Sequence, residues 1–163
     1  MKRRAKGAAL IFASIAGLAM SAAAQPQSAQ APHYLAIRGE RVEARRGPGQ
    51  SHAVEWIYLR PGLPVRVLGR DGAWVNVEDP GGARSWMHQT ALEERRTVFV
   101  TGGRLGSATL RRTAQGDGRA VAHLERGVVA ALEACRGDWR RITADGYSGW
   151  AAAEDLWGAE SCS

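Results

Sequence analysis

Gly72-Ala73-Trp74-Val75-Asn76-Val77 and Gly137-Asp138-Trp139-Arg140-Arg141-Ile142 are the two stretches that decide the fold. Each places a Trp two residues after a Gly and an aliphatic residue three after the Trp. Val75 and Val77 share one side of an extended segment, and Trp74 falls on the other, because strand side chains alternate between faces. Each stretch is therefore read as a short strand with one apolar face, entered by a tight glycine turn.

Working outward, the similarity extends in both directions. Ala44-Arg45-Arg46 returns as Leu110-Arg111-Arg112, and Leu59-Arg60-Pro61-Gly62 as Leu124-Glu125-Arg126-Gly127. Ser85-Trp86 matches Gly149-Trp150, and Ala91-Leu92 matches Asp155-Leu156. The offset drifts only from 66 to 64, so one unit of about sixty residues occurs twice. Apolar runs broken by Gly or Pro every eight to twelve residues make the unit all-β. Strands are expected at 41–45, 55–59, 63–70, 73–77 and 84–88. The Ala-rich stretch 128–134 has strand length between Gly127 and Gly137.

The set Val42-Glu43-Ala44-Arg45-Arg46-Gly47-Pro48-Gly49, then Gly62, Gly72, Trp74, Val77, Trp86 and Leu92, resembles the bacterial SH3-like domain family. With its second copy ending in Leu156-Trp157-Gly158, the chain is similar to exported tandem SH3-domain proteins of Gram-negative bacteria. The resemblance covers about residues 37–158 and implies two tandem small SH3-like β-barrels of five or six strands each. Ser85 stands where a Gly usually precedes the second Trp, and Thr113-Ala114-Gln115-Gly116 replaces Gly-Pro-Gly in the second copy. On this reading residues 37–94 and 104–158 are the two domains and 159–163 a tail. Residues 95–103 form a strand bridging the barrels, which lean on each other because sixty residues alone are marginally stable.

The chain has 163 residues and a formal charge of +6. Met1-Lys2-Arg3-Arg4-Ala5-Lys6 is basic, Gly7 to Met20 is apolar, and Ala22-Ala23-Ala24 offers a small-residue cleavage site. That is the build of a secretory signal spanning 1–24, too short to span a membrane as a helix. Its removal takes four of the 22 basic residues and none of the 16 acids, so the charge falls to +2 and the case for nucleic acid goes with it. The mature chain is expected to be periplasmic or secreted and free of the membrane. Residues 25–36 are expected to be a flexible lead-in.

Cys135 and Cys162 are an even pair in an exported chain, where disulfides persist, and read as a bridge pinning the tail. In the resembling family a Cys often sits beside the second-copy Trp, where Arg140 stands here, so Cys162 is a substitute partner. The rival is a thiol nucleophile with His123, but a strand offers no helix terminus to activate it. His33, His52, His88 and His123 lack metal-ligand spacing, and the acid pairs lie beside turns or copy ends. No catalytic constellation, metal site or cofactor is expected, and the chain reads as a non-enzyme.

Candidate ligand contacts are Trp74 and Trp139, each either packed under a loop or displayed to a sugar or peptide. Trp56 and Tyr58 are expected outward or buried between the two barrels, with Ile57 and Leu59 inward. Trp86 and Trp150 are assigned to cores. Arg45 and Arg46 read as solvated edge charges or as a fork for carboxylates. The resemblance implies a binding module for cell-wall peptidoglycan, glycan or stem peptide. A protein–protein adaptor or structural accessory of the envelope is the alternative.

Overall fold

The computed structural model describes residues 32–160 and 162, so the expected signal peptide lies outside the described residues, as does the lead-in up to residue 31. Two seven-stranded antiparallel sheets follow one another along the chain. The first holds β1 (Tyr34–Ile37), β2 (Val42–Arg45), β3 (Val54–Tyr58), β4 (Pro64–Asp71), β5 (Trp74–Glu78), β6 (Arg84–His88) and β7 (Leu92–Glu93). The second holds β8 (Thr97–Val100), β9 (Ser107–Arg111), β10 (Ala120–Glu125), β11 (Val129–Arg136), β12 (Trp139–Ala144), β13 (Tyr147–Ala152) and β14 (Leu156–Trp157). Their orders, β3-β2-β6-β5-β4-β1-β7 and β10-β9-β13-β12-β11-β8-β14, are the same order shifted by seven elements. The tandem repeat read from the sequence is thus a repeat of topology.

Each sheet covers its own core. Ile37, Val65, Val75, Val77 and Met87 are fully buried in the first, and Val98, Val100, Leu110, Ile142 and Ala151 in the second. The inward phase assigned to Val75, Val77 and Ile142 holds. Trp86 and Trp150 are different: Ser85 and Met87 occupy the inner face of β6, and Gly149 and Ala151 that of β13, leaving both Trp half-buried outside. Arg45 and Asn76 flank Trp86 in register, and Arg111 and Arg141 flank Trp150. An interior of this width takes the small and aliphatic residues, and parity sends the indoles out.

Seven strands per unit exceed the expected five or six, because β1 and β8 were read as lead-in and bridge and the two-residue strands β7 and β14 carry no periodicity. Tyr34–Ile37 begins inside the expected lead-in. It pairs with β4 and β7, giving the long strand β4 its second partner. Thr97–Val100 is the same element of the second unit. The expected bridging strand therefore pairs with β11 and β14 alone. It touches the first unit through side chains: Thr97 Oγ1 donates to the Gly62 carbonyl at 2.8 Å, and Phe99 packs on the first core. Arg60 Nη1 also donates to the Gly127 carbonyl across this seam.

Cys135 and Cys162 are joined in a disulfide with Cα atoms 5.9 Å apart. Arg140 Nε donates to the Ala159 carbonyl at 2.7 Å, and Ala159 is buried. The tail is thereby held on the second unit, with Glu160 presented to Tyr34 of the first.

Candidate functional site

Trp74 opens β5 directly after the Gly72 turn, on the outer face that its parity dictates. Register places it opposite His88 at the end of β6. The two rings meet edge to face, 5.5 Å between centroids at 79°. His88 Nδ1 lies 2.8 Å from Thr90 Oγ1, which fixes the imidazole at the strand end. Arg41, Glu43, Gln50 and Ala91 complete a cleft of about 240 Å³. An indole, an imidazole, a carboxylate and an amide around one small hollow suit a polar ligand with an apolar face.

Arg45 borders the same cleft in a different role from the one expected of it. Its Nη1 donates to the carbonyls of Gln50 and His52, at 3.2 and 2.8 Å, and Nη2 meets Glu43 Oε2 at 2.8 Å. The guanidinium fastens the loop 46–53 to β2 and sets the wall that carries Gln50 and Glu43. Gly47 belongs to this construction, since a Cβ there would lie 2.7 Å from the His52 ring. Arg111 repeats the clamp in the second unit, donating to the Gly118 carbonyl at 2.9 Å. Arg46 points the other way, exposed, with Nε 3.8 Å from Glu55.

Trp56 and Tyr58 lie elsewhere, on β3, with their phase inverted from expectation. They stand opposite the buried Ala44 and Val42 and so share the inner face, while Ile57 stands opposite Glu43 on the outer one. Tyr58 packs on the core and donates to Asp79 Oδ2 at 2.9 Å. Burial, then the bond to Asp79, pushes its phenol well above the ordinary tyrosine range. β3 is the sheet's edge and overhangs the core, so Trp56 remains 50 % exposed, with Ile57 at 44 % and Leu59 at 69 %.

Trp139 occupies the position equivalent to Trp74, yet its cross-strand neighbour is Ala152 instead of a histidine. Thr109 stands where Glu43 does in the first unit. The cleft is therefore built in one unit, from a pair that the sequence places fourteen residues apart. His88 and Glu43 were missed because only the strand register brings them to Trp74, and Gln50 because the Arg45-held loop does. Among the described residues no group of acids, histidines or cysteines could hold a metal ion.

A family model described as the bacterial SH3 domain matches residues 38–94 and 106–158, leaving β1 and β8 outside both matches. No curated protein matches the chain. Among solved structures, NlpC2 from Trichomonas vaginalis is similar at a TM-score of 0.36 and 14 % identity, over 80 % of this chain and 49 % of that one. NlpC1 from Trichomonas vaginalis is similar at 0.35 and 15 % identity, over 87 % and 50 %. The chain spans about half the length of these structures.

Proposed function

The chain belongs to the bacterial SH3 domain family, and on that premise we propose that it is a non-catalytic module working outside the cytoplasm and binding cell-wall peptidoglycan. Members of this family are binding domains, and each sheet here is taken to close as a small barrel. The observation that carries the reading is the cleft at Trp74. Its indole offers an apolar surface to a sugar ring, while Glu43, Gln50 and His88 supply acceptors and donors for hydroxyl or amide groups. Arg45 is a positioning residue that holds the cleft wall. The disulfide supports work in an oxidising compartment.

Co-sedimentation of the oxidised chain with purified sacculi tests the reading. Saturable binding that Trp74→Ala removes, in a variant whose far-ultraviolet spectrum is unchanged, is the expected result. Absence of binding at low and high salt overturns it. A second reading, an envelope adaptor, is favoured by the apolar edge formed by Val54, Trp56, Ile57 and Leu59. That reading predicts a protein partner whose capture Trp56→Ser abolishes.

A further inference from the structure

The two units differ where the β5–β6 and β12–β13 hairpins face the edge strands β3 and β10. In the first unit the turn Pro80-Gly81-Gly82 has three residues, and Asp79 at its base accepts from Gly81 N, Ala83 N and the Tyr58 hydroxyl. That bond ties the hairpin to the edge strand. In the second unit the turn is Asp145-Gly146, two residues with φ of 49° and 80°, as a type I′ hairpin requires. Register puts Leu124 in the place of Tyr58 and Ala144 in that of Asp79, so no such bond forms. A hollow of about 490 Å³ lies between hairpin and edge strand there.

Its lining shows which way it runs. Val121, Ala122, His123, Leu124 and Glu125 are consecutive, whereas a hollow on one face of a strand would meet alternate residues only. The hollow therefore follows the edge of β10, whose other side is paired with β9. Val128 and the half-exposed ring of Tyr147 form the opposite wall, and Asp145 stands beside them. Glu125 and Asp145 bring two carboxylates to a lining that contains no Lys or Arg. A smaller hollow of about 310 Å³ continues toward the seam, sharing Glu125, Val128 and Asp145 with the first and walled beyond them by Arg60 and Arg126. Tyr147 lines the larger hollow and not the smaller, so a positive ligand group held by the two carboxylates is favoured on the Tyr147 side and repelled on the side of Arg60 and Arg126.

We propose that the β10 edge is a docking site for an extended protein segment, added to the sheet as an eighth strand, with a basic side chain seated between Glu125, Asp145 and Tyr147. Backbone pairing along Ala120–Glu125 holds the segment, and the charge and ring select the side chain. The site lies in the second unit and stands apart from the cleft at Trp74, so it holds whether or not the chain binds peptidoglycan.

The test uses the oxidised chain, labelled with nitrogen-15, and three capped hexapeptides that alternate valine and threonine around a central lysine, norleucine or glutamate. The lysine peptide is expected to shift the amide resonances of residues 120–125 and 147 and to bind at least fivefold more tightly than the norleucine peptide. Glu125→Gln with Asp145→Asn is expected to erase that preference while the turn is kept, since Asn also adopts the left-handed conformation. N-methylation of alternate peptide amides is expected to abolish the shifts. Equal binding of the three peptides, shifts confined to other residues, or no binding overturns the proposal. So does a muramyl stem-peptide fragment that shifts these residues more strongly than the lysine peptide.

Discussion

The Tyr34 hydroxyl donates to Glu160 Oε2 at 2.9 Å, joining the first strand of one unit to the tail of the other across 126 residues of chain. Trp157 meets the Tyr34 ring edge-on, 5.0 Å between centroids. The Cys135–Cys162 disulfide fixes the tail that carries Glu160, so the bridge within the second unit also steadies the seam.

Removing the bridge tests this linkage. A Cys135→Ser/Cys162→Ser variant is expected to lose at most about 3.5 kcal/mol, the loop-closure value for the 27-residue separation. Urea unfolding of the oxidised chain against the double variant measures it. In addition, Tyr34→Phe should cost less in the double variant than in the bridged chain. Equal cost in both backgrounds contradicts the coupling.

The tyrosines make stability depend on alkaline pH. Burial, then the bond to Glu160, raises the Tyr34 phenol above its ordinary range, as burial and Asp79 raise Tyr58. The unfolded phenols ionise near 10, at about their usual value. Their contribution is complete below that pH and is lost as pH rises through the folded values, because the unfolded chain releases its protons first. Urea midpoints taken from pH 8 to 11 should fall less steeply in Tyr34→Phe/Tyr58→Phe than in the parent.

Acid acts through Glu78. Its carboxyl is held below the usual range by the hydrogen bond and charge of Arg66, with Arg84 adding to it. This contribution is complete above the unfolded carboxyl value and fades as pH falls through the folded one. Glu78→Gln should therefore lower stability at pH 7 and converge with the parent once pH has fallen below the depressed value of the folded carboxyl, as followed by tryptophan fluorescence during acid titration.

The aliphatic phase, the duplication and the disulfide were legible in the sequence because each is local or repeated. Val75 with Val77, the paired Gly-x-Trp stretches and Cys135 with Cys162 needed no knowledge of strand neighbours. The Trp74 cleft was half legible: parity put the indole outside, but His88 and Glu43 reach it through register. Arg45 looked like a surface charge because two of its three partners are backbone carbonyls, which sequence does not display. Trp56 and Tyr58 were read in the wrong phase because β3 has apolar residues at both parities, Val54 and Trp56 on one and Ile57 on the other, and an edge strand does not have to sort them.

The asymmetry between units predicts unequal mutants. Trp74→Ala and His88→Ala should each weaken sacculus binding at least fivefold, and Trp139→Ala less than twofold. Sedimentation isotherms of the three folded variants give the comparison, and equal losses at Trp74 and Trp139 would assign binding to both units.

Ile142 is fully buried in the second core. Ile142→Ala should cost about 3 kcal/mol through the cavity it leaves. Because Thr97, Phe99 and Arg60 tie the units together, one urea transition is expected, with probes in either unit reporting the same midpoint.

The overhanging edge at β3 also sets how concentrated the protein can be held. Val54, Trp56, Ile57 and Leu59 lie on or beside this sheet edge, and Glu55 is the lone charge within the strand. Natural sheets place charges on such borders to keep molecules from stacking edge to edge. Precipitation should therefore begin at this border, and a single Ile57→Lys change should raise the solubility ceiling without disturbing either core.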